Sequence, residues 1–334
     1  MTIKDLAKES GYTVTTVSRA LNNSPLVAEK TRRKILEIAE KHGYEPSALA
    51  RNLVTQSSSA ICVIVPDITN PYFPLIVKAV QDEARRHDYL TFVCNSGWTE
   101  KGEVELARLM YGQRVAGIIM DPSSDFTFRR IREAKIRLPI VFVGNRTEED
   151  EASSVLVDNQ AAVELGVEYL VGLGHREIAF IGGQENTYVN RKRQEGFRIA
   201  TSRLLGTEKP FLISSAYQVK GGYDATHVLI TSGHVPTAVM CINDIVAFGV
   251  IRCLREHGYQ VPRDVSVMGF DDVEFSEHLE LTTLREPRYE MGAKAVSILM
   301  DTIKSGPDVA CQHTHVLFRS ELIVRGTCAP PSTV

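Results

Sequence analysis

Several polar and aromatic side chains directly follow short apolar runs of this 334-residue chain. Asn243-Asp244 and Asp271-Asp272 each come after a run of strand-like apolar residues, and Tyr72-Phe73 comes shortly after another. A carboxylate can accept hydrogen bonds from two hydroxyls, and an amide can both donate and accept. The aspartates are therefore better suited to holding a polyhydroxylated ligand than to acid–base catalysis, and the rings can stack on a sugar or a base. The alternative for Tyr72-Phe73 is a pair of core aromatics at a helix start.

Patterns that would indicate catalysis or a metal site are weak. The chain contains no GxSxG, HExxH or P-loop motif, and Gly182-Gly183 and Gly221-Gly222 lack the flanking glycines of a dinucleotide loop. His313 and His315 could share a strand face, but no third ligand is near in sequence, which favours a surface pair. The six cysteines include no CxxC pair and are expected to be reduced, small apolar residues. We therefore expect no enzyme activity, no metal site and no cofactor.

The elements that must position these groups are strands and helices that alternate from about residue 59 onward. Near-continuous apolar runs of this kind are typical of buried parallel sheets. Strands are predicted over residues 60–65, 90–94, 116–120, 140–143, 178–181, 238–242 and 266–270. Among the helices between them, one is predicted over residues 193–205. The rhythm restarts after Asp158-Asn159, which predicts an α/β fold with two doubly wound lobes and a ligand cleft between them.

The first 45 residues show three short helices instead. Thr2 and Asp5 predict a capped helix start, Gly11 ends that helix, and Thr13 can cap a second one. A third helix is expected from about residue 29 to 42. This is the helix-turn-helix pattern, and the outer face of its second helix carries small residues and one arginine that can approach DNA closely. The predicted DNA contacts on this face are Val14, Thr15, Thr16, Ser18, Arg19 and Asn22. The alternative is a small helical cap that binds nothing.

The net charge of −3 conceals an asymmetry. Residues 1–60 contain nine lysines and arginines and six acidic residues, so they carry about +3, and the rest of the chain carries about −6. The positive charge of residues 1–60 is consistent with DNA binding by this segment, whereas the negative net charge of the whole chain would argue against it. The polar start and the lack of a long apolar stretch predict a cytoplasmic protein that does not enter a membrane.

Residues 3–7 (IKDLA) and 16–22 (TVSRALN) resemble the DNA-binding head of the lactose/galactose repressor (LacI/GalR) family. Four later motifs are also similar to that family and occur in its order: residues 174–183 (GHREIAFIGG), 267–272 (VMGFDD), 281–284 (LTTL) and 321–326 (ELIVRG). The resemblance implies a bacterial transcription regulator, a repressor, that binds a pseudo-palindromic operator as a homodimer and responds to a small molecule. The sign of that response, induction or corepression, is left open.

The family architecture implied is a three-helix head over residues 1–45, a hinge helix and linker over 46–58, and a core over 59–334 of periplasmic-binding-protein type. The core is expected to have an N-lobe of about 59–157 plus 288–318 and a C-lobe of about 158–287 plus 319–334. By resemblance, residues 47–53 form a hinge helix in which Arg51 contacts DNA and Leu53 wedges into the minor groove. A simple flexible tether is the alternative. Arg19 is suited to reading guanine and Val14 to a thymine methyl, with Thr15 beside them.

Six effector contacts are implied in the cleft: Tyr72, Phe73, Arg193, Tyr217, Asn243 and Asp271. Arg193 would fork onto effector oxygens, unless Arg191, Lys192 and Arg193 form only a solvated basic run. The expected effector is a sugar or sugar derivative. Many relatives carry aspartate where this chain has Gly144-Asn145-Arg146, so that one polyol contact is lost, Asn145 replaces it, or Arg146 binds an anionic effector such as a sugar phosphate.

Two further departures concern the ends of elements. Ala28 stands where relatives usually have a serine cap for the third helix. Residues 327–334 contain no leucine heptad, which predicts a dimer without a tetramer-forming tail.

The rival function is a periplasmic-type sugar-binding protein without a transcriptional role, which residues 1–58 disfavour. An enzyme such as a sugar-phosphate isomerase has only the α/β body in its favour.

Overall fold

The structure is a computed structural model that describes residues 1–21, 23–44, 59–147, 152–183, 187–305 and 313–332. The chain divides into two compact units, Met1–Ser58 and Ser59–Val334. The predicted DNA contacts Asn22, Arg51 and Leu53 lie outside the described residues, as does the predicted hinge helix.

The first unit contains the three predicted helices, α1 (Ile3–Ser10), α2 (Val14–Leu21) and α3 (Glu29–Lys41). The predicted capping box is confirmed, because the Asp5 amide donates to Thr2 Oγ1 at 3.3 Å and the Thr2 amide donates to Asp5 Oδ2 at 2.9 Å. Gly11 ends α1 in the left-handed conformation, with φ of 78°. The Thr16 amide donates to Thr13 Oγ1 at 3.2 Å, which confirms the predicted cap of α2.

The head has a small core of its own, which orients α2. Val17 and Ala20 of α2 are buried against Leu6 of α1 and Ile35 of α3, and Leu21 is partly buried beside them. Burying this face fixes the opposite face of α2 toward the outside of the unit.

Helix α3 lacks a side-chain cap, as the presence of Ala28 predicts. Ala28 occupies the N-cap position in an extended conformation and makes no side-chain hydrogen bond to the first turn. We expect Ala28→Ser to stabilise the head by about 1 kcal/mol, because a hydroxyl at this position accepts a hydrogen bond from an otherwise unpaired amide. Chemical denaturation of the head should show this gain. Ala28→Val, which adds no side-chain acceptor and is as poor an N-cap residue as alanine, is the control, and an equal gain from valine would contradict the explanation.

The first lobe of the second unit is built on a six-stranded parallel sheet in the order β11-β5-β4-β3-β1-β2. Its strands are β1 (Ala60–Val65), β2 (Leu90–Asn95), β3 (Ile118–Met120), β4 (Ile140–Val143), β5 (Ser153–Val157) and β11 (His315–Phe318). Its helices are α4 (Phe73–Arg86), α5 (Glu100–Gly112), α6 (Thr127–Glu133) and α12 (Arg288–Ser305). Helix α12 returns from the second lobe and packs against α4 and β4.

The second lobe has a four-stranded parallel sheet in the order β7-β6-β8-β9. Its strands are β6 (Ile178–Gly182), β7 (Phe211–Ser214), β8 (Ala238–Cys241) and β9 (Ser266–Met268). Its helices are α7 (Asn159–Gly172), α8 (Tyr188–Leu205), α9 (Val219–Thr231), α10 (Asp244–Glu256) and α11 (Glu274–His278). A separate antiparallel pair joins β10 (Thr283–Arg285) to β12 (Glu321–Ile323).

The chain therefore passes between the lobes three times, after β5, after β10 and after β11. Side chains that follow the strands of both sheets meet in the cleft between the lobes, as expected for parallel sheets. In the described part of the chain no helix has the length and apolar character needed to cross a membrane.

Candidate functional site

A cavity of about 70 Å³ lies between the two lobes of the second unit. It is lined by Asn70, Tyr72, Phe73, Trp98, Asp121, Gly144, Asn145, Thr187, Val189, Arg193, Tyr217, Asn243 and Asp271. All six residues predicted from the sequence to contact an effector are in this set. Their role in binding remains a prediction.

Arg193 lies within α8, and its guanidinium is directed into the protein. Its Nε donates to Asn159 Oδ1 at 2.7 Å, its Nη1 donates to the Ile242 carbonyl, and its Nη2 donates to a carboxylate oxygen of Glu286 at 2.8 Å. The guanidinium carbon also lies 3.4 Å from the centre of the Phe270 ring. With only 5% of its surface exposed, Arg193 is not part of a solvated basic run.

Its two neighbours do point outward. Lys192 pairs with Glu195 on the exposed side of α8, and Arg191 pairs with Asp125 of the first lobe. Arg191 therefore links the lobes across the rim of the cleft. The three consecutive basic residues have three different roles.

Glu286 is a cleft residue that the sequence did not indicate. It is 3% exposed and accepts hydrogen bonds from Arg193 and from the Tyr72 hydroxyl, the latter at 2.7 Å. Because Tyr72 belongs to the first lobe and Arg193 to the second, this carboxylate joins the two halves of the cleft. Its ion pair with Arg193 is charge-assisted and is shielded from solvent by the burial of both side chains.

Two carboxylates, those of Asp271 and Asp121, line the cavity itself. Asp271, which is 4% exposed, has an oxygen 3.9 Å from Arg193 Nη1, and burial raises its pKa well above the ordinary value while Arg193 opposes that rise. Asp121 follows β3 and is 7% exposed; burial, together with nearby Glu103 and Glu286, raises its pKa well above the ordinary value. The sequence analysis missed Asp121, although its position directly after a strand was the signal used for Asp271.

Asp121 occupies space that a side chain at position 144 would need. A Cβ on Gly144 would lie 2.3 Å from Asp121 Oδ2, and Gly144 has φ of +80°. The next residue, Asn145, donates to the Pro122 carbonyl at 2.7 Å and accepts from the Arg146 amide at 2.9 Å. Asn145 therefore uses its amide mainly on the backbone, and Asp121 is the carboxylate nearest to Gly144.

Aromatic rings form one wall of the cavity. The Trp98 and Tyr217 rings stack with centroids 5.3 Å apart and planes 3° from parallel, and Phe73 meets Trp98 edge-on at 6.1 Å. Tyr217 lies against Gly183, where a Cβ would come within 2.2 Å of its ring. Trp98, the only tryptophan of the chain, was also missed. Such a wall offers an apolar surface to the C–H face of a sugar ring or to a base.

The two pairs of polar residues after β8 and β9 divide their roles. Asn243 caps α10, because its Oδ1 accepts from the Val246 amide at 2.8 Å, and it also lines the cavity. Asp244 is buried and accepts from the hydroxyls of Ser276 and Thr283, both at 2.6 Å; burial raises its pKa to about 6. Asp272 pairs with Arg285 and Arg325. Only the first member of each pair therefore lines the cavity.

Arg146 is the residue that the sequence offers as a partner for an anionic effector. Its Nε donates to the Thr147 carbonyl at 3.1 Å, and its guanidinium lies 5.4 Å from the centre of the Tyr188 ring in the second lobe. It is not among the residues that line the cavity. Arg146 contacts the opposite lobe instead of the ligand space.

In the head, the outer face of α2 has the exposure that DNA contact requires. Val14, Thr15 and Arg19 are exposed, with 42% of Val14 accessible, while Thr16 and Ser18 are half-buried. Within the described residues of the head, the acidic groups in ion pairs are bonded to Arg32 and His42, and none is paired with Arg19. Arg19 can therefore reach a base without first breaking an ion pair.

Both units match established sequence families. Residues 2–47 match the family described as bacterial regulatory proteins, lacI family, and residues 58–319 match the family described as periplasmic binding proteins and sugar binding domain of LacI family. The chain belongs to the LacI family. The family resemblance predicted from the motifs is thus confirmed.

LacI-family relatives align over nearly the whole chain. Catabolite control protein A of Priestia megaterium is 32% identical over 90% of this chain and 91% of its own length. The HTH-type transcriptional repressor PurR of Haemophilus influenzae (strain PittEE) is 30% identical over 97% of both chains. The Lac repressor dimer bound to operator and the anti-inducer ONPF has a TM-score of 0.87, with 26% identity over 98% of this chain and 99% of its own.

Membership of the LacI family confirms the predicted fold class, a helix-turn-helix head followed by two parallel-sheet lobes. It also favours a transcription regulator over a sugar-binding protein without a transcriptional role, because the match to the regulatory family covers the head itself. The relatives named above are transcriptional regulators.

Proposed function

We propose that this LacI-family protein is a transcriptional repressor that binds a pseudo-palindromic operator as a homodimer, and that a neutral polyhydroxylated molecule, a sugar or sugar derivative, controls its operator affinity from the cavity between the lobes. The observation that carries the choice of ligand is the charge of the cavity. Because the proposed function requires contact with DNA, we propose that the protein acts in the cytoplasm.

The cavity is rich in hydrogen-bond acceptors. Asp121 and Asp271 both border it, and the positive charge of Arg193 is already balanced by Glu286. Arg193 therefore cannot balance a phosphate or carboxylate on the ligand, and such a group would add negative charge beside two buried acids whose pKa burial has already raised. Hydroxyl groups can donate to both of them. This charge balance supports a neutral polyol and argues against the sugar phosphate that the sequence left open.

The other lining groups complete a site of this kind. Asn243 offers an amide, and the stacked Trp98 and Tyr217 rings offer an apolar wall. Sites that combine a ring platform with a few polar groups hold small ligands in one orientation. We assign the ligand contacts to Tyr72, Phe73, Arg193, Tyr217, Asn243 and Asp271, and add Trp98 and Asp121.

Several contacts that bridge the lobes can transmit ligand binding. The Val189 amide donates to Asn145 Oδ1 at 3.3 Å, and Arg288 donates to the Pro71 and Asp272 carbonyls. A ligand that binds one arrangement of the two lobes more tightly than another increases the population of that arrangement. If the operator also binds the two arrangements with different affinity, ligand binding must change the affinity for DNA.

The DNA side of the proposal rests on the exposed face of α2. We assign Val14, Thr15, Thr16, Ser18, Arg19 and Asn22 to the major groove, and Arg51 and Leu53 to the minor groove. The Lac repressor structure named above is a dimer bound to operator, which supports the same assembly here.

A thermal-shift screen of neutral sugars, sugar phosphates and nucleobases tests the ligand class. A ligand present at about 100 times its Kd should raise the Tm by roughly 5 °C, because it binds only the folded state. We expect a neutral sugar to do so and Asp271→Asn to remove the shift. Asp301→Asn, which changes an exposed aspartate of α12, is the control and should keep it. A phosphate-bearing ligand whose shift survives in Asp271→Asn would refute the assignment.

A further inference from the structure

A second group of potential ligands lies in the second lobe, on the two packed helices α9 and α10. His227 of α9, Cys253 of α10 and His257, the C-cap residue of α10, each place one metal-binding atom within 4.8 Å of the others. Cys253 is buried, whereas both histidines are exposed. Cys253 comes ten residues after Asn243, which is about 15 Å along the helix at 1.5 Å per residue, so this group is separate from the cavity between the lobes.

The arrangement follows from helix geometry and from close packing. Cys253 and His257 are four residues apart, which puts both side chains on one face of α10, the spacing by which helices present pairs of metal ligands. His227 is brought to that face because the helix backbones nearly touch. A Cβ on Gly249 of α10 would lie 1.9 Å from the Val219 carbonyl oxygen, and one on Gly222 of α9 would lie 2.0 Å from the Val246 carbonyl oxygen.

We propose that His227, Cys253 and His257 bind a zinc ion, through the Cys253 thiolate and one ring nitrogen of each histidine, with water in the fourth position. Zn²⁺ favours this sulfur and nitrogen donor set over the oxygen sets that hold Mg²⁺ or Ca²⁺. Tetrahedral zinc with bonds of about 2.3 Å to sulfur and 2.0 Å to nitrogen holds those two ligands about 3.5 Å apart. Cys253 Sγ and His257 Nδ1 are 3.7 Å apart.

The surroundings suit a cation that enters from solvent. The exposed rings of His227 and His257 have their centres 5.2 Å apart, so an ion can first bind their ring nitrogens from solvent. Asp224 and Glu256 lie close enough to act electrostatically on Cys253 and add negative charge. His257 Nδ1 is 2.9 Å from the Cys253 carbonyl oxygen, and this hydrogen bond would compete with coordination of a metal ion through that nitrogen.

A zinc ion bound by these three residues would cross-link α9 and α10. The site does not depend on the proposed function, because it uses no residue of the cavity or of the head. Because zinc would bind the folded state and not the unfolded state, it should raise the unfolding temperature.

Titration of the full-length, tag-free chain with Co²⁺, followed by displacement with Zn²⁺, tests the proposal. We expect one Co²⁺ per chain, a thiolate-to-cobalt charge-transfer band and a tetrahedral ligand-field spectrum. His227→Gln, Cys253→Ser and His257→Gln should each weaken binding by about 100-fold or more, because the loss of even an outer-shell partner costs about 10–100-fold. His278→Gln changes an exposed histidine outside the group and should leave binding unchanged.

The unfolding temperature separates binding from folding defects. Zn²⁺ should raise it in the wild type and in His278→Gln, but not in His227→Gln, whose exposed side chain can change without disturbing the core. Absence of the charge-transfer band in the wild type would overturn the proposal. So would a band and a zinc-induced shift that persist in His227→Gln, since the ion would then be held without the third ligand.

Discussion

Replacing Arg19 with alanine is expected to weaken sequence-specific DNA binding strongly. Arg19 is exposed on α2, the second helix of the helix-turn-helix, and no acidic residue in the described part of the head forms an ion pair with it. A bidentate arginine–guanine contact contributes about 1–3 kcal/mol of discrimination, and a dimer on a pseudo-palindrome makes it twice. The affinity for operator should therefore fall by roughly 30-fold to 10⁴-fold.

Fluorescence anisotropy with operator DNA and with a scrambled duplex measures this loss. Arg33→Ala, which removes an exposed arginine of α3, is the matched control. If Arg33 contacts phosphate, this substitution should lower the affinity for both duplexes by the same factor. The ratio of the operator affinity to the scrambled-duplex affinity should then stay the same. If Arg19→Ala kept that ratio while Arg33→Ala lowered it, α2 would not be the reading helix.

Replacing Arg193 with alanine is expected to destabilise the core by about 3–5 kcal/mol, because it leaves buried carboxylates without their counter-charge. Glu286 would lose its ion pair and Asp271 its nearest guanidinium, while the Ile242 carbonyl and the Asn159 amide oxygen would lose a donor. At about 2–4 °C per kcal/mol, the Tm should fall by roughly 6–20 °C.

Arg203 on the same helix provides the control. It also forms two ion pairs, with Glu164 and Glu168, but half of its side chain is exposed. Exposed pairs contribute about 0–1 kcal/mol, so Arg203→Ala should change the Tm only slightly. Adding Glu286→Gln to Arg193→Ala should restore part of the loss, because it removes one unpaired charge. A Tm for Arg193→Ala equal to that for Arg203→Ala would show that the buried network does not hold the cleft together.

The head and the apolar strands could be predicted because their signals are local. The Thr2–Asp5 capping box, the Gly11 stop and the Thr13 cap each involve residues at most four positions apart, and the structure has all three. The predicted strand over 60–65 coincides with β1 because five of its six residues are fully buried and apolar. The continuous apolar pattern suffices for a strand in the centre of a sheet.

Elements that depend on distant partners were missed. Strand β5 begins with two serines, which reads as a loop until their partners are known. Ser153 Oγ accepts from the Thr314 amide at 3.0 Å, and Ser154 Oγ lies 2.9 Å from His315 Nδ1, so β11 satisfies these polar groups from 161 residues away. Such compensation is invisible to periodicity.

The predicted first residue of α8 was also wrong. The apolar pattern predicted a helix from residue 193, but α8 begins at Tyr188, where Thr187 caps it through the Asn190 amide at 3.3 Å. The correction matters because it puts Arg193 well inside the helix, on its buried side. An arginine at the helix start would have faced solvent with Arg191 and Lys192.

In the candidate site, residues at strand ends were predictable and their network was not. The rule that places Asn243 and Asp271 in the cleft applies equally to Asp121, which could have been found. Glu286 could not, because its partners Tyr72 and Arg193 are 214 and 93 residues away and only the fold brings them together. The net charge of the whole chain, −3, gives no indication of DNA binding, since it averages a head of about +3 with a remainder of about −6.

Selection of DNA from a random pool by the full-length protein tests most directly whether this chain reads DNA through its head. We predict enrichment of a pseudo-palindrome with two equivalent half-sites, binding that weakens steeply with salt, and loss of enrichment with Arg19→Ala. Enrichment of the same sequence by a chain that lacks residues 1–58, or no enriched sequence with the intact chain at low salt, would contradict it.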